Sequence, residues 1–450
     1  MANMNSQLAL FDAIEESETY HDTARFGYFA LLVDRNGTKH QNCYRLTDMP
    51  TVLSLVDPHL NTWLSQAEFI KPNRRVVNLA RIGLLFADLD TYRVPWAIER
   101  SPEQIAEYVL FHCHDEGIPP PSILIFSGRG LQAKWLLSST LPRQALPRWN
   151  ACQKYLIDRL SHIGADPAAK DASRVLRLVH TVNSKSGKIC RVVHVESGSD
   201  GLPIRYNFEY LAEVLLPVAR WDIEKQRQER NDRRQLKLIS GGRSSNLRGF
   251  SGRQLAWDRL EDLRRLADIR GGVREGERMQ HLFWRLNFLL LSGATNSTHM
   301  YHEAAELAKE IDSSWGHRSK ELMTLYSKAK QFEAGEKVDF CGRKYPSLYT
   351  PKNDTLINLF QITDDEQRVL KTVISKNVAR DRDRDRQTSR RRAAGAIDRE
   401  TYEANSASRQ KPWEALGMSR ASWYRAGKPE PETSSSVLQS STHGLYVRDV

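Results

Sequence analysis

Two aspartates, Asp88 and Asp90, have the residue type and spacing that most strongly suggest chemistry in this chain. They end the apolar run RIGLLFADLD (81–90), which is typical of a buried strand, so alternation of side chains places both carboxylates on one face. Two such carboxylates repel each other unless a cation neutralises them. Mg²⁺ and Mn²⁺ prefer oxygen ligands and can activate a hydroxyl and stabilise a leaving pyrophosphate. The alternative is a strand end at which Asp begins a turn.

A second segment, SGRGLQAKW (127–135), follows the apolar run ILIF and has the composition of a phosphate-binding turn. Its two glycines let backbone N–H groups approach an anion closely. Arg129 and Lys134 supply positive charge for a triphosphate, and Ser127 adds a hydroxyl donor. An ordinary β-hairpin turn would have the same pattern.

A third segment, DPAAKDASRVLRLVHTVNSK (166–185), combines acidic groups with a basic strand. A carboxylate from Asp166 or Asp171 would complete a metal site with the first pair. Arg174 and Arg177 could bind phosphates or template. A surface loop with salt bridges from Asp171 to these arginines is the alternative.

In this order, the three segments resemble the archaeo-eukaryotic primase superfamily, specifically the primase-like replication proteins of plasmids and other mobile elements. Asp88 and Asp90 match the D-x-D strand of that family, and 127–135 matches its Ser/Gly/Arg loop. Residues 171–185 match an acidic residue before an R-x-L-R-L-P-G-T-x-N-x-K-like stretch. Residues 273–312 resemble the helical module that commonly follows such cores, so the resemblance extends over about two-thirds of the chain.

The resemblance implies an RRM-like catalytic core, two divalent ions (Mg²⁺ or Mn²⁺), NTP or dNTP substrates and de novo primer synthesis. Two positions depart from the family pattern: Gln132 stands where a His is common, and Val179-His180 replaces Pro-Gly. The predicted catalytic residues and metal ligands are Asp88, Asp90 and Asp171. Asp166 is the alternative third ligand, and Asp171 is favoured over it because Asp171 directly precedes the Arg-rich strand. The predicted nucleotide-binding residues are Ser127, Gly128, Arg129, Gln132, Lys134, Arg174, Arg177, His180 and Lys185.

Short apolar runs alternate with helical patterns in the first half of the chain, and these elements must position the site. We therefore predict an α+β fold, in which an RRM-like core precedes a small all-helical domain and a helix-turn-helix-like segment. The predicted strands include 26–33, 81–90, 122–128 and 174–183, and the predicted helices include 101–115 and 146–162.

Shifts in composition divide the chain into seven predicted regions. They are an N-terminal segment (1–24), the catalytic domain (25–217), a charged helix with a Gly/Ser-rich linker (218–253), a helical domain (254–334), a second linker (335–363), a basic helical DNA-binding region (364–430) and a disordered tail (431–450).

The charge balance favours a polyanionic partner, because 66 Lys and Arg face 55 Asp and Glu, for a net charge of +11. The five cysteines form no C-x-x-C pair, which argues against a zinc ribbon and is typical of a reducing compartment. We find neither a signal-peptide pattern nor an apolar run long enough to cross a bilayer, so we expect a cytoplasmic protein without a membrane partner.

The segment KPWEALGMSRASWYRAGKP (411–429) has a helix, a Gly-containing turn and a second, basic-aromatic helix. This order is typical of a helix-turn-helix, and it resembles the recognition helix of resolvases and replication initiators. The surrounding 371–430 holds 15 Lys and Arg against 8 Asp and Glu, which favours DNA binding. A helical hairpin whose Trp residues simply pack is the alternative. The predicted DNA-binding residues are Ser419, Arg420, Trp423, Tyr424 and Arg425.

His112 and His114 have the His-x-His form of nickases that start rolling-circle replication. However, Ser101-Pro102-Glu103-Gln104 is typical of a helix start, so both His should lie at a helix end and point apart. We expect them to cap that helix C-terminus.

Three hypotheses follow. The first is a replication protein that makes primers on single-stranded DNA from NTP or dNTP, binds origin DNA through its C-terminal region, and has a replicative helicase as a further candidate partner. The second is a non-catalytic origin-binding initiator on the same scaffold, and the third is a rolling-circle nickase.

Overall fold

The computed structural model describes residues 12–216, 245–340, 343–393, 399–404 and 406–429. The chain divides into a first unit, 1–374, and a second unit, 375–450. Most of the predicted linker 218–253 and all of the predicted tail 431–450 lie outside the described residues. The last part of that linker, from Ser245, is instead the first part of a long helix that continues into the following helical domain.

Strands and helices alternate in the first half of the chain, as predicted. The predicted linker 335–363 instead contains a pair of strands and a helix. The strands are β1 (Tyr28–Arg35), β2 (Thr38–Arg45), β3 (Thr62–Ser65), β4 (Glu68–Phe69), β5 (Leu79–Leu89), β6 (Ile123–Phe126), β7 (Leu131–Pro142), β8 (Val175–Arg177), β9 (Val182–Asn183), β10 (Lys188–Ile189), β11 (Arg191–Val195), β12 (Lys337–Phe340) and β13 (Arg343–Pro346). The helices are α1 (Ala13–Glu18), α2 (Met49–Ser54), α3 (Pro102–Asp115), α4 (Leu146–Arg159), α5 (Phe208–Leu215), α6 (Ser245–Ile269), α7 (Arg278–Leu291), α8 (Met300–Ile311), α9 (Met323–Glu333), α10 (Asn353–Leu359) and α11 (Asp364–Val369).

Within its described residues, the regular elements of the second unit are all helices. Its elements are α12 (Lys376–Ala393), α13 (Arg399–Ala404), α14 (Ala407–Gln410), α15 (Pro412–Ala415) and α16 (Arg420–Arg425). Within the described parts of both units, no helix is both long and apolar enough to cross a membrane.

One large antiparallel sheet contains the predicted site strands. Its order is β11-β6-β7-β5-β4-β1-β3-β8, and β2 pairs with the outer edge of β1. The succession β5, α3, β6, β7 and α4, with β5 beside β7, is the order expected for an RRM-like or ferredoxin-like core. The α+β prediction is therefore confirmed.

The second edge of β5 is closed by side chains and by a returning segment rather than by a full strand. Trp149 Nε1 donates to Leu84 O at 2.9 Å, and the Gln153 amide bonds both backbone groups of Phe86. Further along, the backbone of 164–166 bonds that of 88–90, through N–O contacts of 2.7 and 2.8 Å. Because buried backbone groups must be paired, this closure fixes the strand end that bears the two aspartates.

The helical part of the first unit is anchored beside the start of β5. The carboxylate of Glu303 on α8 accepts from the backbone N–H groups of Val76 and Val77 at 3.3 and 3.2 Å. Arg264 on α6 donates to Val77 O at 3.3 Å. These contacts place α6 and α8 against the turn that leads into the site strand. Leucines of α6 and α7 form the local core, including Leu260, Leu263, Leu266, Leu282, Leu286 and Leu289.

Candidate metal and nucleotide site

Asp88 and Asp90 lie on the wall of a cleft of about 1360 Å³ in the first unit. Asp88 lies on β5, opposite Gln132 of β7, and Asp90 follows the last residue of that strand, Leu89. The strand therefore ends one residue earlier than predicted, and both carboxylates still line the cleft. The 166–185 segment, strands β1, β3 and β8, and residues before and within α8 and α9 form the other walls. The cleft therefore brings the three predicted motifs together.

The environment of Asp88 disfavours its negative charge. Burial raises the pKa of the Asp88 carboxyl to about 6, and the charges of Asp90 and Asp166 raise it further, while Arg174 and Arg177 lower it. A divalent cation would relieve this repulsion, and the donors here are the hard oxygens that Mg²⁺ and Mn²⁺ prefer. Mg²⁺ commonly uses only one or two protein carboxylates together with substrate phosphates, so the residues present fit such an ion.

Replacing Asp88 by Asn should stabilise the metal-free protein at alkaline pH. A raised pKa means that the carboxyl favours folding below its unfolded pKa near 3.8 and loses this contribution as the pH rises through about 6. At pH 8, Asp88→Asn should therefore raise the free energy of unfolding by up to about 3 kcal/mol. Thermal melting in a chelator at pH 8 and pH 4 measures this, and a gain that persists unchanged at pH 4 would contradict the assignment.

Asp166 and Asp171 are the two candidates for the third metal ligand. Asp166 donates its backbone N–H to Asp88 O at 2.8 Å, and its side chain pairs with Arg174 at 3.3 Å. Asp171 lines the cleft and accepts from the Ser173 hydroxyl at 2.7 Å. Asp166 is thus the carboxylate whose charge acts on Asp88, whereas Asp171 is the one that faces the cleft. Among the residues that the structure describes, no group of three or more His, Cys, Asp or Glu is arranged to hold a metal ion.

The turn between β6 and β7 is built from Ser127 to Gly130. The Ser127 hydroxyl donates to Gly130 O at 3.0 Å, and Gly130 N donates back to that hydroxyl at 3.3 Å. Gly128 adopts a φ of +91°, which a side chain would strain. Asn183 Nδ2 donates to Ser127 O at 2.9 Å, so the segment 166–185 helps to hold this turn in place.

Gly130 should tolerate no side chain, because a Cβ there would collide with the backbone oxygen of Leu89 at the end of β5. We expect Gly130→Ala to destabilise the protein by about 2 kcal/mol or more and to displace the end of β5, which precedes Asp90. Urea unfolding measures the change, and Gly276→Ala is the control. Gly276, like Gly130, has no positive φ, but nothing lies within 4 Å of the position of its Cβ, so it reports the substitution without a collision. Equal losses for the two variants would contradict the collision.

Several predicted nucleotide-binding residues face the cleft, and they are Ser127, Arg129, Gln132, Arg174, Arg177 and Lys185. Arg129 lies 3.9 Å above the ring of Tyr92, and Arg177 donates to Asn61 Oδ1 at 2.8 Å. The Gln132 side chain is 2% exposed, and no donor among the described residues reaches its Oε1. An unsatisfied buried oxygen at a cleft wall is a candidate partner for a ligand donor.

Lys134 does not reach the cleft, contrary to the phosphate-binding prediction. Its side chain is 1% exposed, its Nζ lies 2.6 Å from Glu16 Oε1, and it lies 4.4 Å above the Tyr20 ring. Helix α1 covers Lys134. The residues near Lys134 in the sequence could not predict this contact, because α1 is distant in the chain. His180 is also outside the cleft: it is exposed, with a φ of +64°.

Other cleft residues carried no sequence signal. Trp63 lies on a four-residue strand, and Arg74 and Arg75 lie in an irregular loop. Lys39 lies on β2, which pairs with β1. Trp63 and Lys39 reach the cleft through strand pairing across the sheet, and Arg74 and Arg75 reach it from the loop between β4 and β5.

The His-x-His pair lies on a helix, as predicted. Ser101 caps α3 in a capping box with Gln104, and His112 and His114 are in its last turn. The ring of His112 is buried against His162, with ring centroids 4.2 Å apart.

The predicted C-terminal DNA-binding residues separate into buried and exposed groups within the second unit. Trp423 is buried against Trp413, with ring centroids 5.8 Å apart, while Arg420, Tyr424 and Arg425 are exposed. Ser419 caps α16 by accepting from Ser422 N. The helix-turn-helix remains a prediction, because α15 and α16 have only four and six residues.

The sequence is 28% identical to a replication protein of Clostridium perfringens over 317 residues, 70% of this chain and 69% of that protein. This chain resembles a replication protein. The predicted resemblance to replication proteins is thereby confirmed. No family model matches the chain.

Similar solved structures were also found. The primase-polymerase domain of cyanophage S-2L is 16% identical, with a TM-score of 0.32, over 43% of this chain and 91% of that one. The catalytic domain of primase RepB′ in complex with initiator DNA is 13% identical, with a TM-score of 0.28, over 50% of this chain and 100% of that one. A further structure of primase RepB′ is 14% identical, with a TM-score of 0.28, over 69% of this chain and 96% of that one.

Proposed function

We propose that this replication-protein relative is a primase-polymerase that joins nucleotides on a single-stranded DNA template. The observation that carries the proposal is the pair Asp88 and Asp90 on the wall of a cleft that also presents Arg129, Arg174 and Arg177. Adjacent carboxylates and surrounding guanidinium groups are the combination that nucleotidyl transfer requires, since the reaction places metal ions and a triphosphate side by side.

Each group has a distinct task in this proposal. Asp88 and Asp90 would hold divalent ions, with Asp166 or Asp171 as a further ligand. The bound ions supply charge neutralisation and lower the pKa of the attacking hydroxyl. Arg129, held over the Tyr92 ring, is positioned to bind the triphosphate.

The nucleotide has a second set of proposed partners on β7 and in the turn before it. The buried Gln132 oxygen can accept from a ligand donor, as the His common at this position in the resembled family could. The Ser127 turn borders the same part of the cleft.

Origin binding is proposed for the second unit. Helix α16 has an exposed basic-aromatic surface formed by Arg420, Tyr424 and Arg425. The buried Trp423 packs against Trp413 and anchors the helix. Basic residues interleaved with an aromatic ring are suited to the phosphates and bases of DNA. Replacing Arg420 and Arg425 together should weaken DNA binding by this unit.

The test is incorporation of labelled NTP or dNTP by the full chain on single-stranded DNA with Mg²⁺ or Mn²⁺. We expect a product, and its loss in either Asp166→Asn or Asp171→Asn would identify the third ligand. Specific origin binding without incorporation on any template would instead support a non-catalytic initiator.

A further inference from the structure

Trp63 lines the cleft, in a row of side chains that crosses the sheet. It pairs with Leu32 of β1 on one side and with Arg177 of β8 on the other. Directly opposed residues in antiparallel strands present their side chains on the same face. All three line the cleft, so the row forms a floor within it.

Two cations lie close to the Trp63 ring. Lys39 Nζ is 5.3 Å from its centroid, and the Arg177 guanidinium is 4.8 Å from it. Asn61 and the backbone oxygen of Val182 accept from Arg177, which fixes its position. An aromatic face beside positively charged groups in an open groove is the combination by which proteins bind single-stranded nucleic acid.

Trp63 differs from the structural tryptophans of the same domain. Trp135 and Trp149 are fully buried, and their indole N–H groups donate to Pro119 O and Leu84 O. Trp63 is only partly buried and borders the cleft. Its packing therefore leaves part of the ring within reach of a ligand.

Arg177 links this ring to the proposed reaction centre. The same guanidinium that lies over Trp63 is close enough to Asp88 for each charge to act on the other. Lys170 and Lys185, together with Arg74 and Arg75, extend positive charge along the cleft. A single strand of DNA bound along these cations would run past Trp63 and then past the carboxylates.

We propose that Trp63 stacks on a nucleobase of the single-stranded template, whose phosphates lie beside Lys39 and Arg177. This inference rests on the proposed function and deepens it, because it assigns the template a place in the cleft. Stacking on a ring tolerates any base, so the site should bind single strands without sequence preference.

The test measures binding of a fluorescent single-stranded oligothymidylate to the full chain by anisotropy, without metal or nucleotide. Trp63→Leu keeps apolar bulk but has no aromatic face, and we expect it to weaken binding about tenfold, as loss of one stacked base does. Trp63→Phe should retain most of the affinity. Thermal melting checks that both variants fold, and Trp63→Tyr replaces Trp63→Phe if the latter does not.

Trp96→Ala is the matched control. Trp96 is also partly buried and lies under an arginine, with the Arg100 guanidinium 5.5 Å from its ring, but it is not part of the cleft lining. Its substitution should leave oligonucleotide binding unchanged. Equal affinity of Trp63→Leu and the wild type would overturn the proposal, as would equal losses for Trp63→Leu and Trp63→Phe.

A separate arm distinguishes the template from the incoming nucleotide. Binding of a labelled nucleoside triphosphate should be the same in Trp63→Leu and the wild type, and a loss confined to that ligand would overturn the template assignment. Trp63-dependent oligonucleotide binding in a chain that makes no product would refute the catalytic proposal and leave the stacking site standing.

Discussion

Asp90→Asn is expected to lower nucleotide incorporation about a thousandfold, equivalent to about 4 kcal/mol of transition-state stabilisation. The substitution keeps the size and shape of the side chain and removes one negative charge from the pair that would hold the divalent ions. The Asp90 carboxylate also lies 3.2 Å from the guanidinium of Arg93, which is largely exposed, so this ion pair contributes little to stability. Incorporation rates at saturating template and nucleotide, with folding checked by thermal melting, measure the effect.

Asp34→Asn is the matched control for this prediction. Asp34 lines the same cleft, but its Oδ1 accepts from Gly37 N in the β1–β2 turn, a hydrogen bond that Asn preserves. We expect its incorporation rate to stay within about threefold of the wild type, because it is not one of the proposed ligands. Similar losses in Asp34→Asn and Asp90→Asn would show that general negative charge in the cleft matters rather than the specific pair.

Lys134→Met is expected to destabilise the protein by about 3–5 kcal/mol, the second large effect. Lys134 and Glu16 form a buried ion pair with an N–O distance of 2.6 Å, and both side chains are at most 2% exposed. Removing the ammonium leaves the Glu16 carboxylate buried without its counter-ion, and desolvation of that charge is costly. Chemical unfolding followed by tryptophan fluorescence measures the loss.

The double variant Glu16→Met/Lys134→Met separates the charge effect from packing. Replacing both partners by apolar side chains of similar length should recover most of the stability, because no unpaired charge remains. A stable Lys134→Met variant that loses only nucleotide binding would contradict the structural role and restore the phosphate-binding prediction made from the sequence.

The sequence predicted the features that depend on local spacing. The apolar run 81–90 is enough to predict a buried strand that leads to Asp88 and Asp90, and the capping box at Ser101 is enough to begin α3. Both depend on residues within a few positions of each other, where the physical rules of strands and helix caps apply directly.

Features that depend on long-range contacts were missed. Lys134 belongs to the predicted phosphate-binding segment 127–135, but a helix more than a hundred residues earlier in the chain buries it. Trp63 belongs to the cleft only because β3 pairs with both β1 and β8. The position of Asp166 likewise depends on the return of 164–166 along β5, which no local pattern indicates.

The most direct test of the central claim is metal-dependent incorporation of labelled nucleotide on single-stranded DNA by the wild type and by Asp88→Ala/Asp90→Ala. We predict incorporation by the wild type that requires Mg²⁺ or Mn²⁺, and none by the folded double variant at any metal concentration. Unchanged synthesis by the double variant would contradict the assignment of this cleft as the site of nucleotidyl transfer.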